Sequence, residues 1–382
     1  MKRSFPHHIF SKKVELKQEF SGSSPPAIFV GAWGYPKVFT GFLSPTNSFK
    51  EAAILDSPET WYKEGLKLKQ VLSLREQMIY SRFTTSIKKP SSRLNEMQKE
   101  LVQSIRPCDL EIKLKKMPRL KVNHHKFAPP IPSPVEIEKA QLTENPKIPK
   151  KIDKIVSDTD LKAVCGLENL YKNKISITQI QKILSAGLLG LKHKRIMVPT
   201  KWSITATDST LSKNMLTEIR NYPEISEFLL FSNTYLGNHY QILLIPRYWS
   251  YQLIEIGNPG TVFSQEWIDW ESYAPRKTYA TNCVGGYYAA RLGICEYLTK
   301  IRKQATIFVV RETSPEYNIP LGVWVPRETV RGCFQNPPEK FNSLEDAFKT
   351  MKRRTKTPWH KIEQKSDLLR EMKTQRRLKD FL

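Results

Sequence analysis

Acidic residues are in short supply: 37 Asp and Glu stand against 61 Lys and Arg in 382 residues, a formal net charge of +24. A surplus of that size sets up a positive field that draws phosphate polymers or anionic surfaces. A merely solvated lysine-rich surface would give the same count. Cysteine is scarcer still. Cys108, Cys165, Cys283, Cys295 and Cys333 are odd in number, widely spread and never spaced Cys-x-x-Cys. That excludes a disulfide scaffold and a zinc ribbon or finger, and it fits a reducing compartment. No uncharged apolar run is long enough to span a bilayer, and residues 1–10 have no signal-peptide core. The chain is expected to be soluble and cytoplasmic, with no membrane partner. A Gly-x-x-x-x-Gly-Lys-Ser/Thr loop, a Rossmann glycine fingerprint and a His-x-x-x-His pair are all missing. Nothing therefore supports ATP-driven action or a zinc hydrolase, no cluster of metal ligands is legible, and the sequence does not define a cofactor.

What is present suffices for a sizeable core. Hydrophobic residues make up 40%, and eight Trp with fifteen Tyr argue against general disorder. The length suggests two domains or one elaborated domain. Residues 1–20 are polar, basic and expected to be poorly ordered; 21–106 read as an α/β region that opens with the apolar strand Ala27-Ile-Phe-Val30. Asp56-Ser-Pro58 marks a helix start, with Asp56 or Ser57 as cap and Pro58 in the first turn. From Trp61 apolar residues recur at helical spacing through Ile79, and a second helix carries Leu94, Met97 and Leu101. Prolines alternating with lysines over 107–150 predict an arm or linker without a central strand.

Residues 151–340 read as the main α+β domain. Its strand candidates near 228–231, 239–246 and 248–256 suggest an antiparallel meander. Further strands are expected at 305–310 and 321–325, and the longest helix pattern at 283–304. A basic helical extension covers 341–374, broken at Thr357-Pro358, and a flexible terminal peptide covers 375–382. The fold class is thus α+β (mixed α/β), with an antiparallel-rich sheet and packed helices.

Three blocks invite a chemical reading. Val198-Pro-Thr-Lys-Trp-Ser-Ile-Thr-Ala-Thr-Asp208 is dense in hydroxyls and carries one cation and one carboxylate. Thr200, Lys201, Ser203 and Thr205 suit phosphate or ribose oxygens. Asp208 is a candidate metal ligand or general base, or simply the cap of a following helix. Gly285-Gly-Tyr-Tyr-Ala-Ala-Arg291 opens a helix with two glycines, which permits close backbone approach. Arg291 and Glu296, five apart, are expected to make separate interactions. Arg311 and Glu312 follow an apolar strand, a position that often faces a cleft; buried ion pairing is the plain alternative. Asp208, Arg291, Arg311 and Glu312 are the catalytic candidates. The histidines sit in basic or turn segments and add little.

The tail reads Gln375-Arg-Arg-Leu378-Lys-Asp-Phe381-Leu382. One tight helical turn would bring Leu378, Phe381 and Leu382 onto one side as an apolar plug, with the Gln375 amide beside it. That is the pattern by which peptides dock on ring-shaped sliding clamps of the PCNA type. Lys373, Arg376, Arg377 and Lys379 suit an acidic surface around such a pocket. Leu382 departs from the pattern, whose last position is aromatic, and so loses ring contacts.

Taken together the blocks resemble the Nre family of archaeal DNA repair proteins. The resemblance rests on Ser23-Ser-Pro-Pro-Ala-Ile-Phe-Val-Gly31 with Gly34-Tyr-Pro-Lys-Val38, on Leu55-Asp-Ser-Pro58 with Trp61, and on 198–208, 285–291, 320–331 and the tail. It spans about residue 21 to 382. It implies DNA damage repair and clamp binding through the C-terminal peptide, with DNA and the clamp as partners. It implies no settled reaction and no catalytic residues. Many relatives begin with cysteine pairs resembling a zinc module; this chain departs from that pattern, so the resemblance does not imply a zinc-mediated grip on DNA.

The leading expectation is a clamp-tethered repair factor that binds damaged DNA, with processing of that DNA left open. Its rivals are a non-catalytic adaptor linking a repair partner to the clamp, and a nucleotide- or RNA-directed enzyme whose clamp match is accidental. Removing residues 375–382 is expected to abolish capture on an immobilised clamp; undiminished capture would sink the tether.

Overall fold

The computed structural model describes residues 9–10, 14–88, 90, 92–119, 121–263 and 265–374. The chain divides into two units, Met1–Thr210 with Pro320–Trp324, and Leu211–Ile319 with Val325–Leu382. The architecture is α+β, each unit pairing an antiparallel-rich sheet with helices.

The strands of the first unit are β1 (Glu19–Ser24), β2 (Ile28–Val30), β3 (Lys37–Pro45), β4 (Met78–Ser86), β5 (Cys108–Leu114) and β8 (Pro134–Leu142), with a small ribbon of β6 (Val122–Asn123) and β7 (Ile131–Pro132). The main sheet runs β1-β5-β8-β4-β3-β2, antiparallel except between β4 and β8. It curls until β1 lies against β3. Ser24 Oγ donates to Leu43 O at 2.8 Å, and Ser44 Oγ to Gly22 O at 3.3 Å. Only glycine fits at 22, where a Cβ would stand 1.8 Å from Pro45 O.

Strands β5 and β8 come from the proline-rich stretch, where the sequence predicts no central strand. The prolines fall where they cost no ladder bond: Pro107 precedes β5, Pro118, Pro129 and Pro130 lie in the connection, and Pro134 is the first residue of β8. The N-terminal expectation also changes. Ile9 is buried, and Ile9 O and Phe10 O accept hydrogen bonds from Gln77 Nε2 (2.7 Å) and Ser73 Oγ (2.6 Å).

The Asp56-Ser-Pro58 block does start a helix, Pro58–Lys63, but Ser57 makes no side-chain cap bond. The periodicity that continues to Ile79 resolves into a second helix, Leu68–Glu76, and the start of β4. Asp56 does other work. Its carboxylate meets Arg75 Nη1 at 2.5 Å and Lys182 Nζ at 2.6 Å, and Arg75 also donates to Pro130 O and Leu55 O. Burial alone would raise the Asp56 pKa, but Lys182 and Arg75 together outweigh it and hold the carboxyl below its usual value. Trp61, fully buried, donates its indole N–H to Ile54 O and packs edge-on against Trp324 at 5.3 Å.

The second unit holds β9 (Phe228–Tyr235), β10 (Asn238–Ile245), β11 (Ser250–Gly257), β12 (Glu266–Glu271), β13 (Thr306–Thr313) and β14 (Glu339–Phe341), ordered β12-β11-β13-β10-β9-β14. The expected meander holds for the β9–β10 hairpin only. β13 inserts between β10 and β11, antiparallel to the first and parallel to the second. Both faces of this sheet are covered, which is why its strands read as nearly continuous apolar runs. Tyr240, Ile242, Leu253, Ile307 and Val309 pack with the helix Val284–Ile301. Leu243, Ile245, Ile254, Phe308 and Val310 pack with Ala347, Met351, Trp359, Ile362 and Leu368 of the C-terminal helices Leu344–Arg354, Trp359–Lys365 and Asp367–Thr374. Those helices break around Thr357-Pro358, as the sequence suggests.

Two further differences concern helices. Residues 321–325 form no strand, and Trp324–Cys333 is helical. The longest helix is Thr200–Ile219 at 20 residues, against 18 for Val284–Ile301, so Asp208 lies inside a helix rather than at its cap.

Replacing Asp56 with alanine would leave the Arg75 and Lys182 charges without their counter-ion. The expected cost is about 3–5 kcal/mol in urea unfolding; a loss below about 1 kcal/mol would show that the pair holds nothing. Because the Asp56 pKa is depressed, its contribution is complete above the unfolded carboxylate value and fades as pH falls through the folded one.

Candidate nucleic-acid interface

The sequence places a glycine-punctuated loop after β2, and its consequence is a concave surface. Gly31 N–H donates to Phe39 O at 2.8 Å and Lys37 N–H to Gly34 O at 2.9 Å, so the loop between β2 and β3 folds tightly back. Beside it lies a cavity of about 420 Å3, lined by Phe29 to Trp33, Phe39, Tyr80, Arg82, His125 and Lys201.

The walls are rings. Phe29 meets Tyr80 edge-on at 5.5 Å and His125 at 6.0 Å. The Arg82 guanidinium sits 3.9 Å from the Phe39 ring centroid. The rings continue into solvent: Trp33 of the lining is 89% exposed, and beyond it Tyr35 and Trp202 are exposed and meet at 5.3 Å. Lys201 Nζ lies 5.7 Å from the Trp202 ring centroid, within reach of cation–π attraction.

The charge is one-sided. Arg82 and Lys201 line the cavity and no carboxylate does. Among the described residues neither cation has an ion-pair partner, and Arg82 Nε is buried without a hydrogen-bond partner. Glu136 feels the Arg82 charge, but its hydrogen bond goes to Lys115 at 3.0 Å. His125 has a defined state. Its Nδ1 accepts from the Phe127 and Ala128 N–H groups, each at 3.1 Å, so in the neutral ring the proton is on Nε2. Burial first, and the Lys201 charge second, push its pKa below the ordinary histidine value. The cavity thus offers two cations, a neutral imidazole donor and several ring faces.

The hydroxyl-rich block contributes partly to this surface. It forms the first turns of the Thr200–Ile219 helix. Thr200 Oγ1 accepts from the Val30 N–H at 2.9 Å, which fixes the helix start beside β2 and delivers Lys201 to the cavity. Ser203 is buried with its hydroxyl on Gln181 O, and Thr205 Oγ1 donates back to Lys201 O at 3.3 Å. Asp208 is buried within the same helix.

The other candidates belong to the second unit, where each has partners of its own. Arg291 Nη1 pairs with Glu271 at 2.8 Å and its Nε donates to Ser212 at 3.1 Å. Arg311 pairs with Glu255 and donates to Asn238 Oδ1 from Nε (3.0 Å) and Nη2 (2.6 Å). Gly286 makes room for this pair, since a Cβ there would meet Glu255 Oε1 at 2.6 Å. Glu312 accepts from Lys356 N at 3.0 Å and from Thr357 N and Oγ1, each at 2.9 Å, so it holds the bend before the helix Trp359–Lys365. Glu296 pairs with Arg331. Among the described residues no cluster of three His, Cys, Asp or Glu side chains fits a metal ion, and no helix is long and apolar enough to cross a membrane. Gln375, Leu378, Phe381 and Leu382 lie outside the described residues.

The sequence does not single out Arg82, Tyr80, Phe39 or His125 as site residues. Only the glycine-rich block after β2 carries a local signal.

These features define a two-unit α+β protein with a ring-walled, cationic cavity on its first unit. The chain belongs to the Nre family: residues 4–264 match the family described as archaeal Nre, N-terminal, and 271–381 that described as archaeal Nre, C-terminal. It is 39% identical over 352 residues to DNA repair protein NreA of Archaeoglobus fulgidus, covering 90% of this chain and 88% of the relative. DNA repair protein NreB of the same organism is 34% identical over 97% of this chain and 94% of its own length. DNA repair protein NreA of Haloferax volcanii is 32% identical over 89% and 84%. No solved structure matches the chain.

In an NMR titration His125 is expected to protonate below the ordinary value of about 6.5, and Lys201→Ala to raise its pKa by removing a neighbouring positive charge. Unchanged titration in that variant would separate the two residues electrostatically.

Proposed function

We propose that this protein is a DNA repair factor that binds DNA through the aromatic and cationic surface of its first unit and reaches a PCNA-type sliding clamp through its last eight residues. The observation that carries the DNA reading is the pairing of uncompensated cations with exposed rings. Arg82 and Lys201 have no carboxylate partner among the described residues, and Trp33, Tyr35 and Trp202 present ring faces beside them. Phosphates satisfy such cations and unpaired bases stack on such rings. The net charge of +24 supplies long-range attraction, and relatives of similar length carry the name DNA repair protein.

The clamp reading rests on Gln375, Leu378, Phe381 and Leu382 in their spacing. A tether of this kind raises local concentration at DNA, so modest intrinsic affinity is enough. Within the hydroxyl-rich block we assign phosphate contact to Lys201, and positioning to Thr200 and Ser203. Arg291, Arg311 and Glu312 we read as ties that hold the second unit together, because each already has buried or backbone partners. The protein is expected to act in the cytoplasm as a soluble partner of DNA.

The test is the salt dependence of binding to duplex and single-stranded oligonucleotides, measured by fluorescence anisotropy. Replacing Arg82 and Lys201 with alanine together should lower the slope of log affinity against log salt by about 2, or about 1 per lost phosphate contact. A slope equal to that of the wild type would remove these two residues from the interface.

A further inference from the structure

A DNA surface needs exposed cations and rings; it does not need a concavity of ligand size. The half-open cavity that Trp33 helps to line is therefore an excess over what surface binding of DNA requires. Its volume of about 420 Å3 falls within the ~300–1,000 Å3 typical of small-molecule sites. Its lining is matched to a flat aromatic ligand carrying an anion. Phe29, Phe39 and Tyr80 supply ring faces and edges, and Arg82 and Lys201 supply charge. Two polar features point the same way. Arg82 Nε is buried with an unused proton, and His125 is held neutral with its proton on Nε2, since Nδ1 is committed to the Phe127 and Ala128 amides. A donor set of this kind reads acceptor atoms on a base edge.

We propose that the cavity walled by Phe29, Phe39, Tyr80 and His125 receives one nucleotide of DNA turned out of its stack, its base among the rings and its phosphate against Arg82 and Lys201. Bases inside a duplex show only their edges, so a ring can enter a walled hollow only after unstacking. The cost of unstacking is least at a mismatched, damaged or unpaired position. The cavity thereby favours DNA that is already defective at one nucleotide. Trp33, which lines the hollow and is largely exposed, and Tyr35 and Trp202 outside it give neighbouring unpaired bases faces on which to stack.

This inference rests on the proposed DNA binding, and the test separates the two. The full-length protein is titrated with a fully paired duplex, with the same duplex carrying one unpaired adenine, and with deoxyadenosine monophosphate as competitor. Ala32→Trp, which fills the hollow, and Phe39→Ala, which removes a wall, are assayed in parallel after their folding is checked by circular dichroism. The readout is the ratio of the two duplex affinities, which general weakening leaves unchanged. The expected result is a preference of about tenfold for the unpaired adenine, reduced to near unity in either variant. Equal wild-type affinity for both duplexes would overturn the inference while leaving DNA binding intact. So would a preference that persists in a folded Ala32→Trp protein. Competition by the free mononucleotide as effective as that of the defective duplex would identify a free nucleotide as the ligand and overturn the DNA source. Failure to bind either duplex would remove DNA binding and this inference with it.

Discussion

The hydrogen bond from the Val30 N–H to Thr200 Oγ1 holds the candidate site together. β2 is only three residues long, and its last amide turns to a side chain 170 positions later. A buried amide left without that acceptor would cost about 1–3 kcal/mol, so the start of the Thr200–Ile219 helix is fixed where the glycine loop begins. Everything else at the surface depends on this placement. Lys201 reaches the cavity, Trp202 meets Tyr35, and the Lys201 charge depresses the His125 pKa. An ordinary helix-start threonine thus positions the residues of the candidate site.

The two units handle buried charge differently. In the first, Asp56, Arg75 and Lys182 form one compensated group, while Arg82 and Lys201 are left uncompensated at the cavity. In the second, Arg291 and Arg311 are each matched by a carboxylate from the sheet. Buried pairs seldom stabilise more than apolar packing would, but they punish misalignment, since a lone buried charge is costly. Glu255 and Arg311 face one another in register across β11 and β13. They therefore specify which strands are neighbours in a sheet whose apolar residues alone would accept several orders.

The α+β class, the Phe228–Tyr235 and Asn238–Ile245 strands and the helical C-terminal region are legible in the sequence, because apolar runs and periodicity report burial directly. The position of β13 is not: strand neighbours joined through a long crossover leave no local mark. The helix that carries the hydroxyl-rich block is expected from the sequence only after Asp208, since Ser and Thr compete with helical backbone bonds. In the fold Ser203 and Thr205 spend their hydroxyls on carbonyls at Gln181 and Lys201, and the helix survives. Arg82 and His125 are hidden for another reason. One sits in a strand and the other in a proline- and lysine-rich connection, and only the fold makes them neighbours. The break between the units, at Thr210, falls inside a continuous helix and so has no linker composition to announce it.

The C-terminal helices have a consequence for how the chain can be altered. Leu368 and Leu369 are buried in the second unit, and Arg247 Nη1 donates to Met372 O at 3.4 Å. The body of the protein is therefore committed to within a few residues of Gln375. On the proposed reading, a docking peptide beyond that point would be an address label, and exchanging those eight residues would redirect the same body. Trimming one helix further would instead remove Leu368 and Leu369 from the core and the hydrogen bond of the Leu368 N–H to Gln252 of β11.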